Sequence, residues 1–134
     1  MMKRLLLGLT LLVTATAASA EWTPVGAANV GGDDQLIIYI DRATIRRNGN
    51  LVKMWDLKDF KTVQTVAGDS YLSQKIQSEY DCKEEKSQFL AFTWFAGKMG
   101  GGKVVYSDND PGKWVPIYPG SNGEILWKIA CGKK

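Results

Sequence analysis

Two cysteines, three acidic pairs and one glycine-rich, lysine-bearing segment are the residues of this 134-residue sequence whose types and spacing could do chemistry. The acidic pairs are Asp33-Asp34, Glu84-Glu85 and Asp108 with Asp110, and paired carboxylates can serve as general acid and base on a glycosidic bond. Each lies among Gly, Asn, Lys or Pro in an apparent turn, where carboxylates are ordinarily solvated. Asp108-Asn109-Asp110 has the D-x-D spacing of a calcium loop, but Pro111 follows and no bidentate glutamate closes the loop. The stretch Gly97 to Lys103 invites a phosphate-loop reading. A Walker motif would need Ser or Thr after the lysine and a helix beyond it; here Val104 follows and begins a strand, so a flexible hairpin loop is the better account. The sequence has no histidine. That removes Ser-His-Asp and Cys-His catalysis. Without histidine or C-x-x-C spacing, Cys82 and Cys131 do not read as a metal or redox pair either. The sequence therefore predicts a protein that is not an enzyme, with no catalytic, metal or cofactor-binding residues.

The cysteines take their meaning from the N-terminus. Lys3-Arg4, an apolar run from Leu5 to Val13 and Ala18-Ser19-Ala20 have the layout of a secretory signal peptide, with cleavage between Ala20 and Glu21. The apolar run is shorter than the roughly 20 residues that a spanning helix needs. Residues 1–20 are read as the signal and 21–134 as a single domain, exported to the periplasm or beyond it to the cell surface or medium. In an oxidising compartment Cys82 and Cys131 should form a disulfide. No cysteine follows the apolar run, so a lipid anchor at the cleavage point is not expected. Once Lys3 and Arg4 leave, 15 basic residues face 14 acidic ones. That balance gives no electrostatic case for nucleic acid, and no second apolar run approaches spanning length.

The elements that must position these residues read as an antiparallel β domain. Gln35 to Asp41 is a strand rich in β-branched residues. Arg42 to Arg47 is a connector with room for one helical turn, and Asn48-Gly49 is a turn. In Leu51 to Phe60 both alternating sets carry apolar members, which predicts a central strand covered on both faces for part of its length. Thr62 to Ser70 reads as a loop. Tyr71 to Cys82 is a long polar strand with Leu72, Ile76, Tyr80 and Cys82 on one face. Gln88 to Phe95 is the most aromatic strand, and Lys103 to Tyr106 pairs back on it. Ser121-Asn122-Gly123-Glu124 matches a capping box, followed by a short helix to Ala130 with Gly132 as its terminal glycine. A Cys82–Cys131 bridge would pin that helix against the sheet. Trp127, one turn before Cys131, should lie between helix and sheet with Ile76 or Tyr80 beneath it. Most of the five tryptophans are expected in the core. One or two exposed on the sheet would form a platform for sugar or peptide.

With these elements placed, the chain resembles the surface-adhesin protein E family of Gram-negative bacteria over about Trp22 to Cys131. The residues that carry the likeness are Trp22, Ile37-Ile38-Tyr39-Ile40-Asp41 with Ile45, Val52-Lys53-Met54-Trp55 with Asp59, and Ser73. Glu79-Tyr80-Asp81-Cys82, Trp114 to Ser121, Glu124 and Cys131 complete it. The resemblance implies an α+β fold, a curved antiparallel sheet of about six strands with a C-terminal helix tethered to one face by the disulfide. It also implies a non-enzymatic role in binding host extracellular-matrix or plasma proteins. The alternative is a periplasmic accessory protein acting on bacterial envelope partners. The open edges of such a sheet, with a near-neutral charge, further predict a homodimer. No binding surface is assigned by sequence, because no segment matches a known matrix-binding run.

Overall fold

The computed structural model describes residues 20–134; the segment read from the sequence as a signal peptide lies, up to residue 19, outside the described residues. Eight strands form one antiparallel sheet: β1 (Thr23–Gly31), β2 (Asp34–Ile40), β3 (Arg46–Asn48), β4 (Leu51–Val66), β5 (Asp69–Asp81), β6 (Lys86–Phe95), β7 (Val104–Asp108) and β8 (Val115–Pro116). Six of them make the main path, in the order β1-β2-β4-β5-β6-β7. The short β3 pairs with the start of β4, and β8 with the start of β6. One helix, α1 (Asn122–Ala130), closes the chain. The sheet is open, with β1 and β7 at its edges. The α+β class, the six-strand path and the tethered helix agree with the sequence reading.

The core lies between α1 and one face of the sheet. Ile38 and Ile40 of β2, Val52 and Met54 of β4 and Tyr80 of β5 are buried there with Leu126, Trp127, Ala130 and Cys131. The helix begins where Ser121 Oγ accepts from Glu124 N at 3.2 Å. Only this half of the expected capping box forms, because Ser121 N donates to Tyr118 O and Glu124 instead pairs with Lys128 at 3.5 Å. It ends as the glycine predicts. Gly132 turns the chain at φ +67°, while Gly132 N bonds Ile129 O and Lys133 N bonds Lys128 O, the two bonds of a Schellman terminus.

The opposite face of β4 is covered too, but by a loop. Leu57 and Asp59 of β4 and Ser73 of β5 are buried under residues 97–102. There Met99 N donates to Asp59 Oδ1 at 2.8 Å and Gly100 N to Ser73 Oγ at 2.8 Å, while Ser73 Oγ donates to Gly97 O. Lys98 pairs with Asp59 at 3.3 Å and donates to the Phe60 carbonyl. The segment expected to be a flexible hairpin loop is therefore fastened to the sheet by three side chains, Asp59, Ser73 and Lys98. Gly100 closes the segment at a φ of +72°, a left-handed backbone that favours glycine.

Three further expectations are corrected. Residues 62–70 are not a loop: β4 runs on to Val66 and turns through Ala67 and Gly68, both at positive φ, into β5. That is the backbone of a two-residue hairpin turn. β1 was not expected at all. Of the five tryptophans only Trp127 is buried; Trp22, Trp55, Trp94 and Trp114 are half-buried.

Candidate functional site

The acidic pairs sit in turns and at strand ends. Asp34 begins β2 and accepts from Gln64 Nε2 at 2.6 Å. Hydrogen bonds from the Thr62 and Gln64 side chains hold its carboxyl below the ordinary range, the opposite of what a general acid requires. Glu84 and Glu85 lie exposed in the β5–β6 turn, whose amides are capped by Asp81 Oδ1 at 3.0 Å (Lys83 N) and 2.9 Å (Glu84 N). Asp108 Oδ1 likewise accepts from Asp110 N at 2.8 Å. Asp81 and Asp108 are turn-forming carboxylates. The fold brings no two of the pairs together, and no group of three metal-ligating side chains occurs among the described residues.

The cysteines do meet. Cys82 and Cys131 are bonded with an S–S distance of 2.06 Å, across a sequence separation of 49. Beside the bridge the Trp127 indole N–H donates to Asp81 O at 2.9 Å. Bridge and indole together fix the end of α1 to the end of β5.

That placement leaves half of the helix-side face uncovered. Directly paired residues of an antiparallel sheet share a face, and the register gives rows across it. Ile38, Lys58, Gln74, Trp94 and Tyr106 form one row; Ile40, Asp56, Ile76, Phe92 and Asp108 form the next. An irregularity in β6 between Ala91 and Phe89 brings Phe89 opposite Ser78, on the same face as Phe92 and Trp94. A bulge re-phases a strand in this way. Because α1 packs over β1 and β4, the β6–β7 half is left bare. Tyr71 stacks on Trp94 with centroids 4.4 Å apart, and Tyr106 and Phe92 tilt against the same indole at 5.1 and 5.7 Å. This aromatic band continues into a cleft of about 270 Å³ between β6, β8 and the start of α1, lined by Phe89, Val115, Tyr118, Ser121, Leu126 and Asp56. Phe89 is 56% and Tyr118 65% exposed. The one tryptophan of the band, Trp94, is half-buried, and the band's location depends on a bulge and a helix position that no residue pattern announces.

Asp56 is the chemical anomaly of the cleft. It is 2% exposed, and its Oδ2 has no hydrogen-bond partner among the described residues. Burial pushes its carboxyl up from 3.8 to about 6, against a lowering by Lys58 on the same strand. The protonated carboxyl is thus the form the fold favours. The stability linked to Asp56 is fully present below pH 3.8 and is lost as pH rises to about 6. A shift of this size corresponds to about 3 kcal/mol. Asp56→Asn, which cannot ionise, is expected to melt above wild type at pH 8 and to lose that advantage near pH 4. Thermal melts across this range check it; a gap that does not change with pH would contradict the assignment.

Fold and surface together define a small disulfide-stapled α+β domain with an open antiparallel sheet that displays an aromatic face. The chain belongs to the surface-adhesin protein E family, whose model matches residues 22–132. Solved relatives share the fold. Protein E of Haemophilus influenzae in crystal form II is similar at a TM-score of 0.59 and 13% identity, covering 71% of this chain and 80% of that one. Its selenomethionine form gives 0.57 and 12%, covering 71% and 78%. Protein E from non-typeable H. influenzae gives 0.51 and 14%, covering 71% and 69%. At such identities the likeness is one of fold alone. No curated protein matches the chain. No helix among the described residues is long and apolar enough to cross a membrane.

Proposed function

We propose that this protein is exported, cleaved between Ala20 and Glu21, and works as a non-catalytic domain that binds other proteins, with host extracellular-matrix or plasma proteins as the partners. Family membership supports an adhesin-type role. The observation that carries the reading is the bare aromatic band, because exposed apolar area rimmed by polar residues is what protein-binding surfaces offer. Binding of the folded protein to immobilised matrix and plasma proteins tests it. Saturable binding at or below micromolar concentration is expected, weakened by Phe89→Ser or Tyr118→Ser without loss of fold. No binding on protein shown to be folded would sink the adhesin form.

A second reading has its own support. Cys82 and Cys131 are joined in a bridge, as the oxidising periplasm maintains, and a periplasmic accessory role on envelope partners fits that compartment. Fractionation separates the readings: protein confined to the periplasm, and pull-down of envelope rather than plasma proteins, favours the second.

The edge strands extend the proposal to a homodimer. Among the described residues β1 and β7 each have an edge that pairs with no strand, and such edges recruit another strand unless blunted. Sedimentation is expected to show a dimer; a monomeric mass across a wide concentration range would count against it.

A further inference from the structure

A buried carboxylate oxygen without a partner is costly, and a structure that keeps one needs a reason for it. Asp56 Oδ2 is such an atom, and Asp56 lines the cleft under Val115, Tyr118 and Leu126. Lys58 lines the same cleft, yet no ion pair joins it to Asp56. The remaining walls are largely hydrocarbon and aromatic ring. A cavity of about 150 Å³ holds a benzene, so about 270 Å³ has room for a chain of several methylenes together with a polar head. An anion would meet the Asp56 carboxylate. A metal ion would need more ligands than one buried carboxylate supplies. The complement that remains is an organic cation that donates hydrogen bonds and trails an apolar stem.

We propose that this cleft receives a primary ammonium group on an aliphatic stem, as the lysine side chain of a partner protein presents it, with the ammonium on Asp56 and the stem between Phe89, Val115 and Leu126. A charge-assisted N–H···O bond would satisfy the stranded oxygen. The four methylenes of a lysine bury along apolar walls as such stems do elsewhere. The ammonium pocket stands on the cleft geometry alone; that a partner protein fills it rests on the protein-binding reading above.

The test titrates the folded protein with n-pentylamine and with Nα-acetyl-lysine methylamide, following backbone amide resonances at pH 7.5 and fixed ionic strength. 1-Pentanol and pentanoate serve as matched controls. Pentylamine and the lysine derivative are expected to shift the resonances of Ser78, Phe89 and Leu126 saturably, and Asp56→Asn to weaken both by tenfold or more. The same spectra show whether that variant is folded. Equal shifts with pentanol, or undiminished amine binding in Asp56→Asn, would overturn the proposal. The amine titration is independent of any matrix-binding result. A pocket that binds pentylamine on a protein that captures no matrix or plasma protein would leave the ammonium site standing and remove only the adhesin reading.

Discussion

Cys131→Ser is expected to lower the stability of the protein by about 4 kcal/mol. The bridge closes a loop with a sequence separation of 49, and the chain-entropy relation assigns such a loop about 4 kcal/mol of denatured-state constraint. Against a typical total of about 5–15 kcal/mol that is a large share. For a domain of this size the loss corresponds to a fall in melting temperature on the order of 15 °C. The consequence should be local first. α1 has nine residues, too few to persist in water unaided, so its amides should exchange faster in the variant than those of β4 and β5. Calorimetry and hydrogen exchange check both parts. A free-thiol assay that titrates two sulfhydryls in the protein from its native compartment would refute the premise.

What was legible in the sequence, and what was not, divides along a physical line. The disulfide, β2, the N-terminal part of β4, β5, β6 and α1 were readable because each carries a signal within its own residues: β-branched runs, period-two alternation, a serine cap, a terminal glycine. Asp56 was not singled out: its alternating set holds Val52, Met54 and Phe60 but also Lys58, so the two charged residues blurred which face would be buried. The significance of Asp56 waited on the helix that roofs the cleft. β1 was missed because Gly26, Ala27 and Ala28 have weak strand preference. Its residues are mostly exposed, and its pairing with β2 is a tertiary event. The far end of β4 was missed for a related reason. Val63, Thr65 and Val66 are exposed, so no buried face imposes a pattern, and Ala67 takes a positive φ that Gly or Asn would have announced. The fastening of residues 97–102 rests on side chains from β4, β5 and the loop itself, about 25 to 40 positions apart in the chain; such contacts leave no local periodicity to read.

Trp127→Ala should cost about 3–5 kcal/mol, the range for aromatic truncations in cores. The indole is 6% exposed and shares one buried cluster with Val52, Tyr80 and Cys131, a cluster that holds Tyr80 but not Ile76. Its N–H also holds Asp81 O, one residue before the bridging Cys82, and truncation would remove the donor from that carbonyl. Trp127→Phe keeps one aromatic ring but loses the N–H and part of the indole's buried volume. It should cost clearly less than the alanine change. The intact disulfide still holds the helix end, so the alanine variant should loosen α1 rather than detach it, and the cost should lie toward the lower figure. Indole and bridge fasten the same end of the same helix, one turn apart, so their effects should not add. Once Cys131→Ser has released α1, Trp127→Ala has little docked structure left to disrupt. The double variant should therefore lose less than the sum of the two single changes. Strict additivity in denaturant titrations would mean that the indole stabilises the sheet independently of the helix that carries it. A single Trp127→Ala variant melting within a degree or two of wild type would mean that the helix does not depend on this side chain for its place.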